Sequence, residues 1–322
     1  MTDPFSYVTS DNKVCSYLTY LALTLGALQI LSWVYSQLSF LYRHLIKKEK
    51  DLIATYGQKD TWAVVTGGSD GIGEQFCHDL AEKGFNICII ARNEKKMQEK
   101  LAQISHGKKI KTRYVVGDLA ALTKYSDYAK IADQIKDIDI SILILNAGWT
   151  CMGPFASLTP DEVEQTVTIN ALHPVYLIKA LLPQLLKRDK RTGVIVMSSG
   201  LGSCPVPGVI SYSAAKAFAS YLAQGLAVEL KDKMDFLSYE CGEVKTKLIG
   251  KNRKGFHVIT TDRATGAGLR DLGTLSVTNG GFAHDLAMRV LPKWLLQKMV
   301  NKVSLKTYQK YRANLEAEKK GQ

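Results

Sequence analysis

The chain has 322 residues, a formal net charge of +12 and a hydrophobic share of 46%. This length suits one α/β domain of about 250 residues with appendages. The positive surplus favours anionic membranes or phosphorylated ligands, and the absence of any RNP, zinc-finger or helix-turn-helix signature argues against nucleic acid. The six scattered cysteines form no C-x-x-C pair, and no N-glycosylation sequon is present. We therefore expect a reducing, cytosol-facing domain and no metal site.

A long uncharged segment follows a short N-terminal tail of residues 1–13. Residues 14–42 carry no formal charge, and this segment is long enough to form a helix that spans the hydrocarbon core. A basic linker at residues 43–60 follows, with Arg43, Lys47 and Lys48 close to the segment and only Lys13 on its other side. The positive-inside rule then predicts that the rest of the chain lies in the cytosol.

Two other interpretations of residues 14–42 stay open. A cleaved signal peptide has a shorter apolar core and a small-residue cleavage site rather than a basic cluster. An interfacial helix is the stronger alternative, because Ser, Thr and Gln dilute the apolar residues.

From Trp62 onward, short apolar runs alternate with helix-like segments. Continuous runs such as Ile140–Leu145 are typical of strands buried on both faces. Alternation with long crossovers predicts a doubly wound parallel sheet with helices on both sides, over residues 61–282. The six predicted strands are Trp62–Thr66, Asn86–Ala91, Thr112–Val116, Ile140–Leu145, Gly193–Ser198 and Phe236–Cys241.

Two basic segments lie in the C-terminal third. Residues 244–261 hold five cations and no acid, and can either attract a polyanionic substrate or lie solvated or on lipid headgroups. Residues 283–322 form a basic amphipathic tail, which suits a helix on an anionic membrane or a helix packed on the domain. Its terminal Lys319-Lys320-Gly321-Gln322 is similar to a dilysine retrieval signal of the endoplasmic reticulum, or is an ordinary basic end.

A glycine-rich turn, Thr66–Gly73, follows the first predicted strand and opens a predicted helix from Glu74 to Lys83. Gly67, Gly71 and Gly73 let the backbone turn and approach a pyrophosphate at the helix N-terminus. A site that prefers NAD offers an acid after the second strand, whereas this chain has Arg92 there. Arg92 either favours NADPH by binding its additional phosphate or is a solvated cation of the loop. Asp118, after the third strand, can contact the adenine.

Four further residues together predict carbonyl chemistry. Ser199 lies 13 positions before Tyr212, and Lys216 lies four positions after it. Carbonyl reduction needs an acid for the forming alkoxide, and a neighbouring cation is expected to lower the pKa of the Tyr212 phenol. Ser199 can donate a hydrogen bond to the carbonyl oxygen, and Asn170 can hold a water that relays protons to Lys216. Asn146-Ala147-Gly148 ends the fourth strand and lets backbone lie against a cofactor.

With these motifs together, residues 61 to about 250 resemble the short-chain dehydrogenase/reductase family. Its motifs are T-G-x-x-x-G-x-G, N-A-G, a catalytic Asn and Ser with Tyr-x-x-x-Lys. The phrases Gly67–Phe76, Ala81–Asn86 and Ile90–Asn93 are also similar to membrane-bound very-long-chain 3-ketoacyl-CoA reductases and 17-beta-hydroxysteroid dehydrogenases. Resemblance to this subgroup covers nearly the whole chain and implies a Rossmann-type fold with an N-terminal membrane helix and a basic C-terminal extension.

The resemblance assigns roles residue by residue. Ser199, Tyr212, Lys216 and Asn170 are the expected catalytic residues, with Ser199 also touching the substrate. The expected NADPH/NADP contacts are Gly67, Ser69, Asp70, Gly71, Ile72, Gly73, Arg92, Asn93, Asp118, Asn146, Ala147, Gly148, Tyr212, Lys216, Val244 and Thr246. Two departures are Leu145 before Asn146, where many members have a second Asn, and Cys241-Gly242, where Pro-Gly is usual.

The leading functional prediction is NADPH-dependent reduction of 3-oxoacyl-CoA in fatty-acid elongation, at the endoplasmic reticulum membrane with the catalytic domain facing the cytosol. A steroid or retinoid dehydrogenase is the rival of the same class, and a catalytically silent membrane scaffold is the rival of another class. Other elongation enzymes and a second copy of the chain, as a homodimer, are partners that the sequence leaves open.

Overall fold

The computed structural model describes residues 13–246, 255 and 258–290, together with seven positions of the tail (295, 297, 298, 301, 304, 308 and 309). The chain divides into two compact units, with the boundary after Lys48. Each unit is described by itself below.

The first unit is a single long helix. Helix α1 covers Lys13–Leu41 and continues into a π-helical turn at Tyr42–Ile46. Cys15–Ile46 is long and apolar enough to cross a membrane, by length and composition, with a mean hydropathy of 1.4. Its apolar side chains are mostly exposed, so this segment does not serve as a core helix of its own unit. The predicted helix is therefore present, and its passage through a membrane stays a prediction.

The second unit is built on a seven-stranded parallel sheet in the order β3-β2-β1-β4-β5-β6-β7. The strands are β1 Thr61–Thr66, β2 Asn86–Ala91, β3 Thr112–Val116, β4 Asp139–Leu145, β5 Thr192–Met197, β6 Met234–Tyr239 and β7 Val277–Thr278. The predicted α/β fold is confirmed. The six predicted strands match the first six to within two residues, and the two-residue β7 is a strand that the sequence pattern did not indicate.

Helices cover both faces of the sheet. They are α2 Leu52–Tyr56, α3 Gly71–Glu82, α4 Glu94–Ser105, α5 Tyr125–Asp133, α6 Pro160–Val167, α7 His173–Leu186, α8 Ile210–Glu229, α9 Thr261–Asp271 and α10 Phe282–Val290. One apolar core joins Phe76 and Leu80 of α3 to one face, and a second joins Tyr128, Leu177 and Ala219 to the other. This two-sided burial explains why the central strands β1, β2, β4 and β5 are mostly apolar rather than alternating, whereas the edge strand β3 is largely exposed or half-buried.

Residues just after the first unit are part of the folded domain. Leu52 and Tyr56, the two ends of α2, are both fully buried. The Arg188 side chain lies beside α2 and is itself buried. Its Nη2 donates to the Tyr56 carbonyl at 2.7 Å, and its Nε and Nη2 donate to Asp139 at 2.7 and 3.0 Å. Arg188 thereby links α2 to the beginning of β4.

We expect Arg188→Met to lower the free energy of unfolding by about 3 kcal/mol, because it leaves the Asp139 carboxylate without its buried partner. Chemical denaturation of the full chain in detergent measures this. Arg188→Met with Asp139→Asn should recover part of the loss, and Lys130→Ala, which removes an exposed cation, should change stability by less than about 0.5 kcal/mol. Equal losses in the single and double variants would contradict this role of the ion pair.

Candidate active site

The predicted site residues converge at the carboxyl ends of the central strands. The strand order reverses between β1 and β4, which makes this edge the place where open α/β sheets bind ligands. The glycine-rich turn follows β1, Asn146 follows β4, and Ser199 lies two residues after β5. One edge of the sheet therefore presents both the predicted cofactor residues and the predicted catalytic ones.

The glycine-rich turn has a conformation that only glycine adopts readily. Gly67 and Gly71 have φ angles of 65° and 56°, in the left-handed region. A Cβ on Gly73 would lie 2.5 Å from the Gly67 carbonyl oxygen and would also collide with the Asn146 amide. The Asn146 Nδ2 donates to the Thr66 carbonyl at 3.0 Å. Asn146 thus fastens the turn to the end of β4.

The N-terminus of α3 points out of this turn. Asp70 is its N-cap residue, and its side chain makes no capping hydrogen bond to the first turn of the helix. The carboxylate instead forms an ion pair with Lys96 of α4 at 2.5 Å. The first amides of α3 are therefore not capped by Asp70, and an anion such as a pyrophosphate fits there.

The ends of β2 and β3 hold the residues predicted to select the nucleotide. Arg92 is exposed beyond β2. Asn93 caps α4, because its Oδ1 accepts from the Lys96 amide at 2.9 Å. Asp118, also exposed, accepts from the Ala120 amide at 3.2 Å. Arg92 thus follows the strand next to β1, which leads into the glycine-rich turn, whereas the other two side chains have local structural roles.

The segment after β6 returns to the glycine-rich turn. Val244 is buried and pairs with Ile259 in an isolated parallel bridge. The Thr246 Cγ2 lies 3.3 Å from the point where a Cβ on Gly71 would stand. Thr246 therefore lies against the turn, and its contact with a cofactor stays a prediction. Lys247, Lys251, Arg253 and Lys254 of the basic segment lie outside the described residues.

Ser199 and Tyr212 lie close enough to interact. The Ser199 Oγ accepts from the Leu201 amide at 3.2 Å. Burial raises the pKa of Tyr212 to about 12, although the neighbouring Ser199 hydroxyl acts in the lowering direction. The expectation that a cation lowers the pKa of this phenol below its usual value is therefore wrong for the chain as it stands.

The position and burial of Lys216 explain why its positive charge does not lower the pKa of Tyr212. Its Nζ donates to the Met197 carbonyl at 2.6 Å and lies 5.7 Å from the centre of the Tyr212 ring. Burial lowers the pKa of Lys216 to about 8. The same loss of hydration thus penalises both ions, and at this distance the attraction between them does not offset it.

Asn170 lies opposite Lys216 across Gly148. It is 1% exposed, and its Nδ2 donates to the Trp149 and Thr166 carbonyls at 2.6 and 2.8 Å. Its Oδ1 is buried and has no hydrogen-bond partner. A Cβ on Gly148 would lie 3.0 Å from this Oδ1 and 3.3 Å from the Lys216 Nζ. The space above Gly148 therefore has a buried acceptor on one side and an ammonium on the other, which suits a bridging water.

Two neighbours of the site were not found by sequence reasoning, and a third, Cys241, was noted only as a departure from the usual Pro-Gly. The Tyr308 ring packs against Gly208, in the loop between Ser199 and Tyr212, and its charge would contribute to raising the pKa of Tyr212. Gln297 donates from its Nε2 to the Pro205 carbonyl of the same loop at 2.6 Å. Cys241 is buried, and burial raises the pKa of its thiol to about 12. Described parts of the tail thus pack on the domain next to the catalytic residues. Its other predicted amphipathic positions, Leu291, Trp294, Met299 and Val300, lie outside the described residues, as does the dilysine-like end.

The sheet, the glycine-rich turn and the Ser–Tyr–Lys group define a nicotinamide-dependent oxidoreductase of the Rossmann type. A family model described as short chain dehydrogenase matches residues 61–256. The chain belongs to the short-chain dehydrogenase/reductase family, and the resemblance in its sequence is confirmed.

The relatives include enzymes of lipid metabolism. A very-long-chain 3-oxoacyl-CoA reductase of Neurospora crassa is 36% identical over 65% of this chain and 63% of its own length, so the match leaves out more than a third of that relative. An enzyme of the same name from Bos taurus is 32% identical over 74% of this chain and 78% of its own. The hydroxysteroid dehydrogenase-like protein 1 of Gallus gallus is 28% identical over 82% of each.

A solved structure agrees with the fold. The short-chain dehydrogenase from Sphingobium yanoikuyae, in complex with NADPH, superposes with a TM-score of 0.59. It is 24% identical and covers 66% of this chain and 83% of its own. Family membership gives this chain a nicotinamide cofactor, and the uncapped helix start and the glycine cradle fit such a group.

We expect Gly73→Ala to weaken binding of a nicotinamide dinucleotide by about ten-fold or more, because the added methyl group displaces the Asn146 amide and the Gly67 carbonyl. Fluorescence titration of the full chain measures the affinity. Gly225→Ala, on the exposed face of α8 with open space around the new Cβ, is the matched control and should leave the affinity unchanged. Unaltered binding by the Gly73 variant would contradict the assignment of this turn.

Proposed function

We propose that the protein reduces a lipid carbonyl with NADPH, and that its substrate is a 3-oxoacyl-CoA, which it converts to the 3-hydroxyacyl-CoA. The observation that carries the proposal is the group formed by the half-buried Tyr212 and the buried Ser199, Lys216 and Asn170. Relatives named as very-long-chain 3-oxoacyl-CoA reductases support the choice of substrate.

Tyr212 is the proposed proton donor. With a pKa of about 12 it keeps its proton at neutral pH, which is the form that reduction needs. Its hydroxyl and that of Ser199 both donate to the carbonyl oxygen of the substrate. When bound, the nicotinamide supplies the hydride that the carbonyl carbon accepts. The Tyr212 proton passes to the oxygen as negative charge develops there, and the phenol becomes a phenolate.

Lys216 stabilises this phenolate. Its ammonium, held at the Met197 carbonyl, is mostly charged at pH 7 because its pKa is about 8. Charge on Tyr212 appears only during the reaction, so the attraction between the two groups lowers the barrier rather than the energy of the resting site.

Asn170 then serves the return of the proton. A water above Gly148 can accept a hydrogen bond from the Lys216 Nζ and donate one to the Asn170 Oδ1. After Lys216 has given a proton to the phenolate, such a water would give one to Lys216 and would itself take up a proton from the solvent. In this role the Asn170 Oδ1, which is buried and has no hydrogen-bond partner, accepts a hydrogen bond from the water.

Arg92 supports NADPH as the cofactor. It is exposed just beyond β2, and the sequence Ala91-Arg92-Asn93 places no acid where an NAD site holds its ribose hydroxyls. A guanidinium binds a phosphate bidentately, which an NAD-preferring carboxylate cannot do.

A membrane location follows from the same proposal. The apolar helix Cys15–Ile46 and a lipid substrate both favour a membrane enzyme. We place it at the endoplasmic reticulum with the domain in the cytosol, on the basic residues that follow the helix and the dilysine-like end. Association with other elongation enzymes or with a second copy of the chain stays a prediction.

A steroid substrate is the second candidate, favoured by the relative named as hydroxysteroid dehydrogenase-like. The catalytic group acts on any carbonyl that reaches it, so the choice between the substrates depends on the pocket alone. A silent scaffold is less favoured, because this chain keeps both Tyr212 and Lys216.

Turnover by the full chain in membranes, with NADPH and a panel of 3-oxoacyl-CoAs and ketosteroids, tests the function. We expect a higher kcat/KM for the acyl-CoAs, and loss of nearly all activity in Tyr212→Phe with unchanged folding and membrane attachment. A clear preference for ketosteroids would replace the substrate, and full activity of the Tyr212 variant would refute the proposed acid.

We expect Arg92→Ala to reduce kcat/KM for NADPH by about 10- to 100-fold with little change for NADH, because a bidentate charge-assisted contact is lost. Steady-state kinetics with both cofactors measure the ratio. Arg92→Lys keeps the charge but not the planar guanidinium, so its kcat/KM for NADPH should lie between those of the wild type and Arg92→Ala. An equal loss with NADPH and NADH would show that Arg92 does not read the 2′-phosphate.

A further inference from the structure

Asn170 lies in a local irregularity of a long helical segment. Between α6 and α7, residues Thr168–Leu172 form a π-helical turn, in which the His173 amide donates to the Thr168 carbonyl, five residues back. Such turns contain one residue more than the α-helix provides, and they occur often at functional sites. The extra residue changes which side chains face inward, and here Asn170 is the central residue of the turn.

The turn leaves one backbone carbonyl without its usual donors. In an α-helix the Ile169 carbonyl accepts from the amide of residue 173, but that amide is used by Thr168. In a continued π-helix it would accept from residue 174, which is Pro174 and has no N–H. A buried carbonyl without a donor is costly, so the turn persists only if another group supplies a hydrogen.

The His173 side chain supplies it. Its Nδ1 lies 3.1 Å from the Ile169 carbonyl oxygen. A carbonyl only accepts, so Nδ1 carries the hydrogen in this contact. The ring is 1% exposed and is stacked on Tyr128, with ring centres 6.4 Å apart. Packing therefore fixes the ring in the orientation that this hydrogen bond requires.

We propose that His173, together with Pro174, holds open the π-helical turn that directs Asn170 toward Lys216, and that His173 is thereby a positioning residue for the proton return. Pro174 has no amide to donate to the Ile169 carbonyl, and in regular α geometry its ring would clash with the Asn170 carbonyl. His173 then satisfies the carbonyl that this arrangement exposes. Neither side chain needs to touch the substrate or cofactor.

The charge state of the imidazole agrees with a positioning role. Burial lowers the pKa of His173 to about 3, and the charge of Lys216 acts in the same direction. The ring is therefore neutral at neutral pH, where Lys216 is mostly charged. A neutral ring of fixed tautomer serves as a constant donor to Ile169 and does not take part in acid–base chemistry.

The test uses a matched pair of variants in the full chain. His173→Leu has a side chain of similar size and no donor, whereas His173→Asn keeps a donor near the position of Nδ1. We expect kcat to fall by about ten-fold or more in the Leu variant, since a small misplacement of a catalytic group has effects of that size. KM for NADPH should stay unchanged, and the Asn variant should recover most of the loss. Equal losses in both variants would overturn the proposal.

A double-mutant cycle with Asn170→Ala separates positioning from general packing. If His173 acts through Asn170, then His173→Leu costs little further kcat once Asn170 is gone, and the combined loss is smaller than the product of the single losses. Independent, multiplicative losses would mean that His173 supports the domain in another way, and would overturn the proposal.

Because the kinetic readouts rest on the proposed function, the third measurement does not use turnover. Hydrogen–deuterium exchange over residues 166–176 should be faster in His173→Leu than in the wild type and close to wild type in His173→Asn. If the wild type reduces none of the 3-oxoacyl-CoAs, the proposed substrate fails while the exchange data still decide the role of His173. Unchanged exchange in the Leu variant would refute it.

Discussion

Thr66 and Asn146 join the ends of the two central strands, and the active site depends on this junction. The Thr66 hydroxyl accepts from the amides of Asn146 and Ala147 at 2.9 and 3.0 Å, and the Asn146 side chain returns a hydrogen bond to the Thr66 carbonyl. On one side of the junction lies the glycine-rich turn, and on the other lies Gly148, facing Asn170 and Lys216. A shift between β1 and β4 would therefore move the cofactor site and the catalytic group relative to each other.

The site places several polar groups where they cost free energy. Burial moves the pKa values of Tyr212 and Lys216 toward their neutral forms, and it leaves one oxygen of Asn170 without a partner. In the proposed reaction, the phenolate that forms on Tyr212 attracts the Lys216 ammonium, and a water can donate to the Asn170 oxygen. Both interactions reduce these costs. The two apolar cores on either side of the sheet stabilise the domain enough to hold such groups in place.

Much of this organisation could be predicted from the sequence, and the failures have physical causes. Most of the six longer strands carry apolar runs, but β7 has two residues and no such run. Helix α2 is hidden in a basic segment, because only Leu52 and Tyr56 reveal its buried face. The glycine-rich turn and the Ser–Tyr–Lys spacing are local sequence patterns that can be recognised without knowledge of the fold. The π-helical turn has no such signal, since it depends on the contact between the buried His173 ring and the Ile169 carbonyl, and the raised pKa of Tyr212 depends on burial that spacing does not reveal.

The strand order has a consequence for how the chain assembles as it leaves the ribosome. Strands β1, β2 and β3 pair in sequence, so this part of the sheet can form from short, local crossovers soon after it is synthesised. One edge of β1 then stays open until β4 emerges, more than 70 residues after β1 ends. The nucleotide-binding half can therefore form before the proposed catalytic residues have been synthesised. Its glycine-rich turn is held in place only when β4 pairs with β1 and Asn146 reaches the turn.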